Sequence, residues 1–277
     1  MTILVFTLIL LMGAYVAGLL GALTGLGGGV IIIPLLTLGF QIDFHYAIGA
    51  ALVGSIATSS GSASAYVKEG ITNIRLGMFL EVATTIGAVV GALLAMYMPI
   101  NAIAIIFGCV LIFSALMTVR KKSEHVLQQG SSLAGKLELN GSYPTPGGPV
   151  AYQLKNVAGG FSIMTVAGVL SGLLGIGSGA VKVLAMDGAM RVPFRVSTTT
   201  SNFMVGVTAA ASAVVYLQRG YIDPGIAFPV VVGVLLGAFS GTKLLMRINV
   251  KWLRIIFSVA ITLIAMQMIF NGFNNRF

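Results

Sequence analysis

Apolar residues run almost unbroken through long stretches of this chain, and polar residues gather in short joints between them. The runs that approach the roughly 20 residues a hydrocarbon core demands are 3–40, 47–67, 76–99 and 102–119, then 157–190, 196–217, 226–246 and 252–270. Lipid offers backbone groups no water, so each run predicts helix. The first run and its counterpart at 157–190 are too long for one span, and each is interrupted by glycines: Gly25-Leu26-Gly27-Gly28-Gly29 and Gly175-Ile176-Gly177-Ser178-Gly179. Each glycine costs a helix roughly 0.8–1 kcal/mol relative to alanine. The pattern predicts a helix broken inside protein, with amide N–H groups freed at the start of the next helical piece. Such ends attract anions.

The two motifs lie 150 positions apart, 175 against 25. The same shift aligns Ala17-Gly18 with Ala167-Gly168, Tyr66 with Tyr216, Gly70 with Gly220, Gly87 with Gly237 and Gly91 with Gly241. This ungapped register predicts two homologous halves, 1–120 and 157–277. Residues 121–156 are polar and rich in turn formers, and are expected to be a cytoplasmic linker without a domain of their own. The small-xxx-small pairs Gly87/Gly91 and Gly237/Gly241 predict helices in close contact. Basic residues mark 68–75 and 120–122 in the first half but 191–195 and 247–254 in the second, the opposite joints. The halves therefore read as inverted. Inversion needs an odd number of crossings per half, so the long first run of each must cross twice or dip in and return. The expected fold is an all-α polytopic membrane protein with roughly 8–10 embedded segments, including broken or re-entrant helices at the glycine motifs.

Composition narrows the class. With 57% hydrophobic and 8% charged residues and a mean hydropathy of +1.00, the chain has too little polar surface for a soluble globule. The net charge of +9 comes from residues set singly or in short groups between apolar runs, which argues against nucleic acid. Cys109 is the single cysteine, so an intrachain disulfide and a zinc cluster are excluded, and it is expected in the core. His45 and His125 are too far apart in sequence and setting for a metal site and are expected in loops. The glycine motifs do not fit G-x-G-x-x-G, no phosphate loop is present, and no nucleophile and base stand together. No cofactor, metal or enzymatic activity is expected. The first run has no basic leader and outlasts a signal peptide's apolar core, so it reads as mature structure.

The pattern from Ala17-Gly18 through Gly25-Leu26-Gly27-Gly28-Gly29 to Pro34, duplicated 150 residues later and followed by a helix of small and hydroxylated residues, resembles the sulfite exporter TauE/SafE family of membrane permeases. The resemblance covers both halves and not the linker. It implies a secondary transporter that moves sulfite, thiosulfate or organosulfonates such as sulfoacetate across the bacterial cytoplasmic membrane by alternating access. An anion channel, or a carrier for another small anion, is the alternative. Implied partners are the anion, membrane lipid and a coupling proton or ion. A homo-oligomer is left open.

The residues suggest where the anion binds. Lys182 lies in an apolar stretch just after the second motif, where a lysine costs about 2.5–3.5 kcal/mol on insertion scales. It serves either a substrate anion or an internal pair with Asp187. The candidate substrate contacts are Gly25, Gly27, Gly28, Gly29, Gly175, Gly177, Ser178, Gly179, Lys182, Thr199, Thr200, Ser201 and Asn202. Thr58, Ser59, Ser60, Ser62 and Ser64 are expected to pack helices together. Asp187 and Glu81 are proton-coupling candidates, with Glu81 expected near the membrane interface.

Overall fold

The computed structural model describes residues 3–24, 27–119, 130–145, 147–245 and 250–274. In chain order the elements are α1 (Ile3–Thr24), α2 (Gly29–Pro34), a π-helical stretch over Leu35–Gly39, α3 (Phe44–Lys68), α4 (Ile74–Ala95) and α5 (Ile100–Val119). A small lobe follows, formed by α6 (Ser132–Lys136), β1 (Gly141–Thr145) and β2 (Gly148–Tyr152). Then come α7 (Val157–Leu174), α8 (Gly179–Val183), a second π-helical stretch over Leu184–Ala189, α9 (Phe194–Gln218), α10 (Pro224–Leu245) and α11 (Val250–Phe273). Among the described residues, six helices are long and apolar enough to cross a bilayer: Leu4–Ala22, Ile74–Ala95, Ile100–Met117, Val157–Leu174, Phe194–Gln218 and Pro224–Gly241.

The breaks fall at the glycine motifs. Gly27, Gly175 and Gly177 have φ of +80°, +68° and +69°, and Ser178 joins them at +47°. These left-handed conformations stop a helix, and glycine adopts them without a Cβ penalty. The chain then doubles back: Gly21 of α1 lies against Gly27 and Gly28, and Gly13 lies against Leu35 of the following stretch.

The long helices invert the soluble pattern. Along α1, Leu4, Leu8, Met12 and Val16 face outward, while Leu10, Ala14, Ala17 and Ala22 are buried. Large side chains meet lipid, and small ones let backbones approach. A Cβ on Gly172 would stand 1.9 Å from the Ala88 carbonyl oxygen, and one on Gly91 2.0 Å from that of Val169. Across the molecule, a Cβ on Gly237 would stand 2.0 Å from the Tyr15 carbonyl, and one on Gly18 2.2 Å from that of Val234. The close packing expected at Gly87/Gly91 and Gly237/Gly241 is thus present, between α4 and α7 and between α1 and α10.

Contacts along each pair ascend together. Leu11, Tyr15 and Leu19 meet Gly233, Gly237 and Gly241 in turn, so α1 and α10 are parallel; Thr84 and Ala88 meet Gly168 and Gly172, so α4 and α7 are too. The pair α3 and α9 runs the other way. His45 at the start of α3 stacks on Tyr221, beyond the end of α9, and the Asn73 amide, beyond the end of α3, donates to Thr200 Oγ1 near the start of α9 at 3.1 Å.

The segment expected to be a plain linker is an ordered lobe over 130–156, although 120–129 and 146 lie outside the described residues. Leu139, Tyr152 and Leu154 are buried with Leu76, Leu80, Met164, Met186 and Met190 in one apolar cluster. Asn73 fastens it. Its Nδ2 donates to the Leu139 carbonyl at 2.9 Å and to Tyr152 Oη at 2.8 Å, while its Oδ1 caps α4 by accepting from the Leu76 amide. Arg75 and Glu138 form an exposed ion pair beside it.

Burial pushes the Tyr152 phenol up to about 12, against a donated hydrogen bond from Asn73 that pulls it down. Because the unfolded phenol titrates at 10.0, the contribution of the neutral phenol is complete below that pH and is lost as pH rises through about 12. The melting temperature in detergent is expected to fall over this interval, and to fall less in Tyr152→Phe. Equal falls would assign the alkaline loss to other groups.

Candidate functional site

The two glycine motifs meet backbone to backbone. A Cβ on Gly29 would lie 2.7 Å from the Gly175 carbonyl oxygen and 3.3 Å from Ile176 Cα, and one on Gly27 would lie 3.4 Å from the Ile176 carbonyl oxygen. Side chains from α3 and α9 close around this contact. Ser55 Oγ lies 3.2 Å from the Cβ position of Gly29, Thr58 Oγ1 3.0 Å from that of Gly28, and Val205 Cγ1 2.6 Å from that of Gly177. Ser201 Oγ donates to the Gly179 carbonyl at 3.2 Å. Gly25 lies outside the described residues.

The α9 hydroxyls divide by partner. Ser201 faces the motif, and the Asn202 carbonyl accepts from Ser59 Oγ at 2.5 Å. Thr199 instead bonds back to the Arg195 and Val196 carbonyls of its own helix, and Thr200 accepts from the Asn73 amide. Sequence alone grouped all four, but successive helical positions turn through about 100°, so neighbours face different elements. On α3, Thr58, Ser60 and Ser62 bond to carbonyls one turn back on their own helix, with Ser60 exposed, whereas Ser59 bonds across to α9. Six buried groups able to donate, on Ser55, Thr72, Ser171, Ser178, Asn202 (Nδ2) and Ser258, have no hydrogen-bond partner among the described residues. A buried donor without a partner costs about 1–3 kcal/mol. Two of the six stand at the motifs: Ser55 Oγ, 3.2 Å from the Cβ position of Gly29, and Ser178, which belongs to the second motif.

Lys182 is fully buried. Its ammonium donates to Thr208 Oγ1 at 2.5 Å, and the same hydroxyl lies 2.6 Å from Glu81 Oε1. The described partner of the lysine is therefore on α9, with a carboxylate of α4 behind it. Glu81 is two turns inside α4 and 7% exposed, so the interfacial position expected for it is corrected. Asp187 is half-buried in the second π-helical stretch.

Sequence reasoning missed Ser55 and Thr208. The shift of 150 that pairs Tyr66 with Tyr216 also pairs Thr58 with Thr208, and that signal singles out Thr208. Ser55 has Val205 at the shifted position, so nothing in the repeat marks it. Cys109 is exposed and not in the core; α5 is apolar all round, so its sequence does not distinguish the lipid face from the packed one. His45 sits on the first turn of α3 instead of in a loop, while His125 lies outside the described residues. Among the described residues no group of three or more His, Cys, Asp or Glu side chains could hold a metal.

A cleft of about 530 Å³ opens elsewhere, lined in part by Thr37, Gln41, Asp43, Gln267 and Asn271. The motif residues do not line it.

The family described as Sulfite exporter TauE/SafE matches residues 10–268. The chain is 27% identical to the probable membrane transporter protein YunE of Bacillus subtilis, over 96% of this chain and 98% of that one. It is 25% identical to the probable membrane transporter protein YdhB of the same organism, over 85% and 89%, and 25% identical to the probable membrane transporter protein MJ0441 of Methanocaldococcus jannaschii, over 92% of each. No solved structure matches. A match across nearly the whole chain, on a helical body with its broken segments back to back, makes this protein a multi-pass membrane transporter, not an enzyme, and a member of the TauE/SafE sulfite exporter family.

Proposed function

We propose that the protein is a secondary transporter of small sulfur-containing anions in a bacterial cytoplasmic membrane, built from two inverted repeats that alternate access to a site between the glycine motifs. The observation that carries this reading is the pair of buried, unpartnered hydroxyls at Ser55 and Ser178, set where two broken helices meet. An oxyanion supplies the acceptors they lack, and the helical amides at Gly29 and Gly179 add partial positive charge. Ser201 and Lys182 complete the substrate contacts. Repetition is supported by α3 and α9, and by α4 and α10, which begin 150 residues apart (194 against 44, 224 against 74). Inversion is supported by the antiparallel run of α3 and α9.

Counterflow tests the function. Purified protein in liposomes loaded with unlabelled sulfite, thiosulfate or sulfoacetate is expected to accumulate labelled sulfite transiently, whereas chloride or phosphate inside does not support it. A leak that dissipates without accumulation would instead identify a channel.

A further inference from the structure

We infer that Glu81, acting through the Thr208 hydroxyl, takes up one proton when the transported anion engages Lys182, so that anion and proton bind and move together. The inference rests on the transport reading above and assigns the coupling step to one residue. Three facts on separate helices meet here. Lys182 Nζ and Glu81 Oε1 both lie within hydrogen-bond distance of Thr208 Oγ1. Thr208 Oγ1 also lies 3.0 Å from the Met204 carbonyl. Glu81 Oε2 is buried without a partner among the described residues.

A threonine hydroxyl has one proton to give and two lone pairs to receive. It can therefore satisfy two protonation states of its neighbours without moving. With Glu81 ionised, Thr208 accepts from Lys182 and donates to Oε1. With Glu81 protonated on Oε1, Thr208 accepts from both Lys182 and Glu81 and turns its own proton to the Met204 carbonyl. The hydroxyl is saturated either way. The carboxyl is not indifferent: Oε2 is bare in both forms, and an unmet acceptor costs more on a buried ionised group than on a neutral one. Lys182 offsets that cost while its own charge is uncommitted. An anion drawn to Lys182 removes the offset, and Glu81 then gains a proton from water.

Other charges do not confuse the assignment. On α7, packed along α4, no residue is titratable. On α9, Arg195 and Tyr216 lie near the two ends of the helix, away from Thr208 in its middle. Arg75, at the start of α4, is paired with Glu138. Asp187, half-buried in the second π-helical stretch, lies five residues from Lys182, and it is Lys182 that Thr208 joins to Glu81.

Calorimetric titration of the purified transporter in buffers of different ionisation enthalpy counts the protons taken up on binding. The probes are thiosulfate and sulfoacetate, neither of which changes charge across neutral pH, so any proton taken up belongs to the protein. Wild type is expected to take up close to one proton and to lose affinity about tenfold per pH unit on the alkaline limb. Glu81→Gln, which mimics the neutral acid, is expected to bind with no proton uptake and a flat pH profile. Thr208→Val should lower proton uptake and Thr208→Ser restore it, which keeps the test open if Glu81→Gln fails to fold. Wild-type proton uptake in Glu81→Gln, or anion binding by wild type without proton uptake, would overturn the coupling role and leave the transport reading standing. Wild type that binds neither probe and shows no counterflow would overturn both.

Discussion

Replacing Lys182 with methionine is expected to lower counterflow of sulfur anions by about a hundredfold, equivalent to about 3 kcal/mol lost from a buried charge-assisted contact. Methionine preserves much of the apolar stem and removes the charge. The single variant is also expected to lose stability, because taking one member from a buried ionic group costs about 3–5 kcal/mol when the other is left uncompensated. The double variant Lys182→Met with Glu81→Gln separates the two effects. It removes both charges, so its melting temperature should recover toward wild type while its counterflow stays low. Recovery of counterflow along with stability would show that the lysine serves the fold and does not touch the anion.

A second large loss of stability is expected at the helix crossings. A Cβ on Gly172 would stand 1.9 Å from the Ala88 carbonyl oxygen, and neither backbone can yield without parting α7 from α4. Gly172→Val is expected to cost about 3 kcal/mol or more and to abolish a monodisperse peak in detergent chromatography. Gly135→Ala, with nothing within 4 Å of its Cβ position, is the control and should behave as wild type. A folded, active Gly172→Val protein would mean that the crossing is looser than drawn.

The glycine motifs and small-xxx-small pairs were legible in sequence because their requirements are local. A run of glycines breaks any helix in lipid, and a pair spaced by four marks a face whatever packs on it. The partner of Lys182 was not legible, because Thr208 and Glu81 lie on other helices, Glu81 in the opposite half, and no sequence pattern ties α8 to α4. Thr199 and Thr200 were grouped with Ser201 by composition, but helical rotation points them elsewhere. The lobe after α5 was read as linker because its apolar residues, Leu139, Tyr152 and Leu154, are scattered among turn formers. Its hairpin signal, two short runs about Gly147-Gly148, is weak beside the long apolar spans.

The exchanged pairing of α1 with α10 and of α7 with α4 has a consequence for biosynthesis. About 200 residues separate the end of α1, at Thr24, from the start of α10, at Pro224, so at about 5–20 residues per second of synthesis the glycine and alanine face of α1 spends on the order of 10–40 s in the membrane before its mate is made. The nascent first half is thus an unfinished surface, open to chaperones and proteases until the last third of the message is read. Two half-length chains made together in one cell should find each other through those faces, whereas either made alone should be cleared.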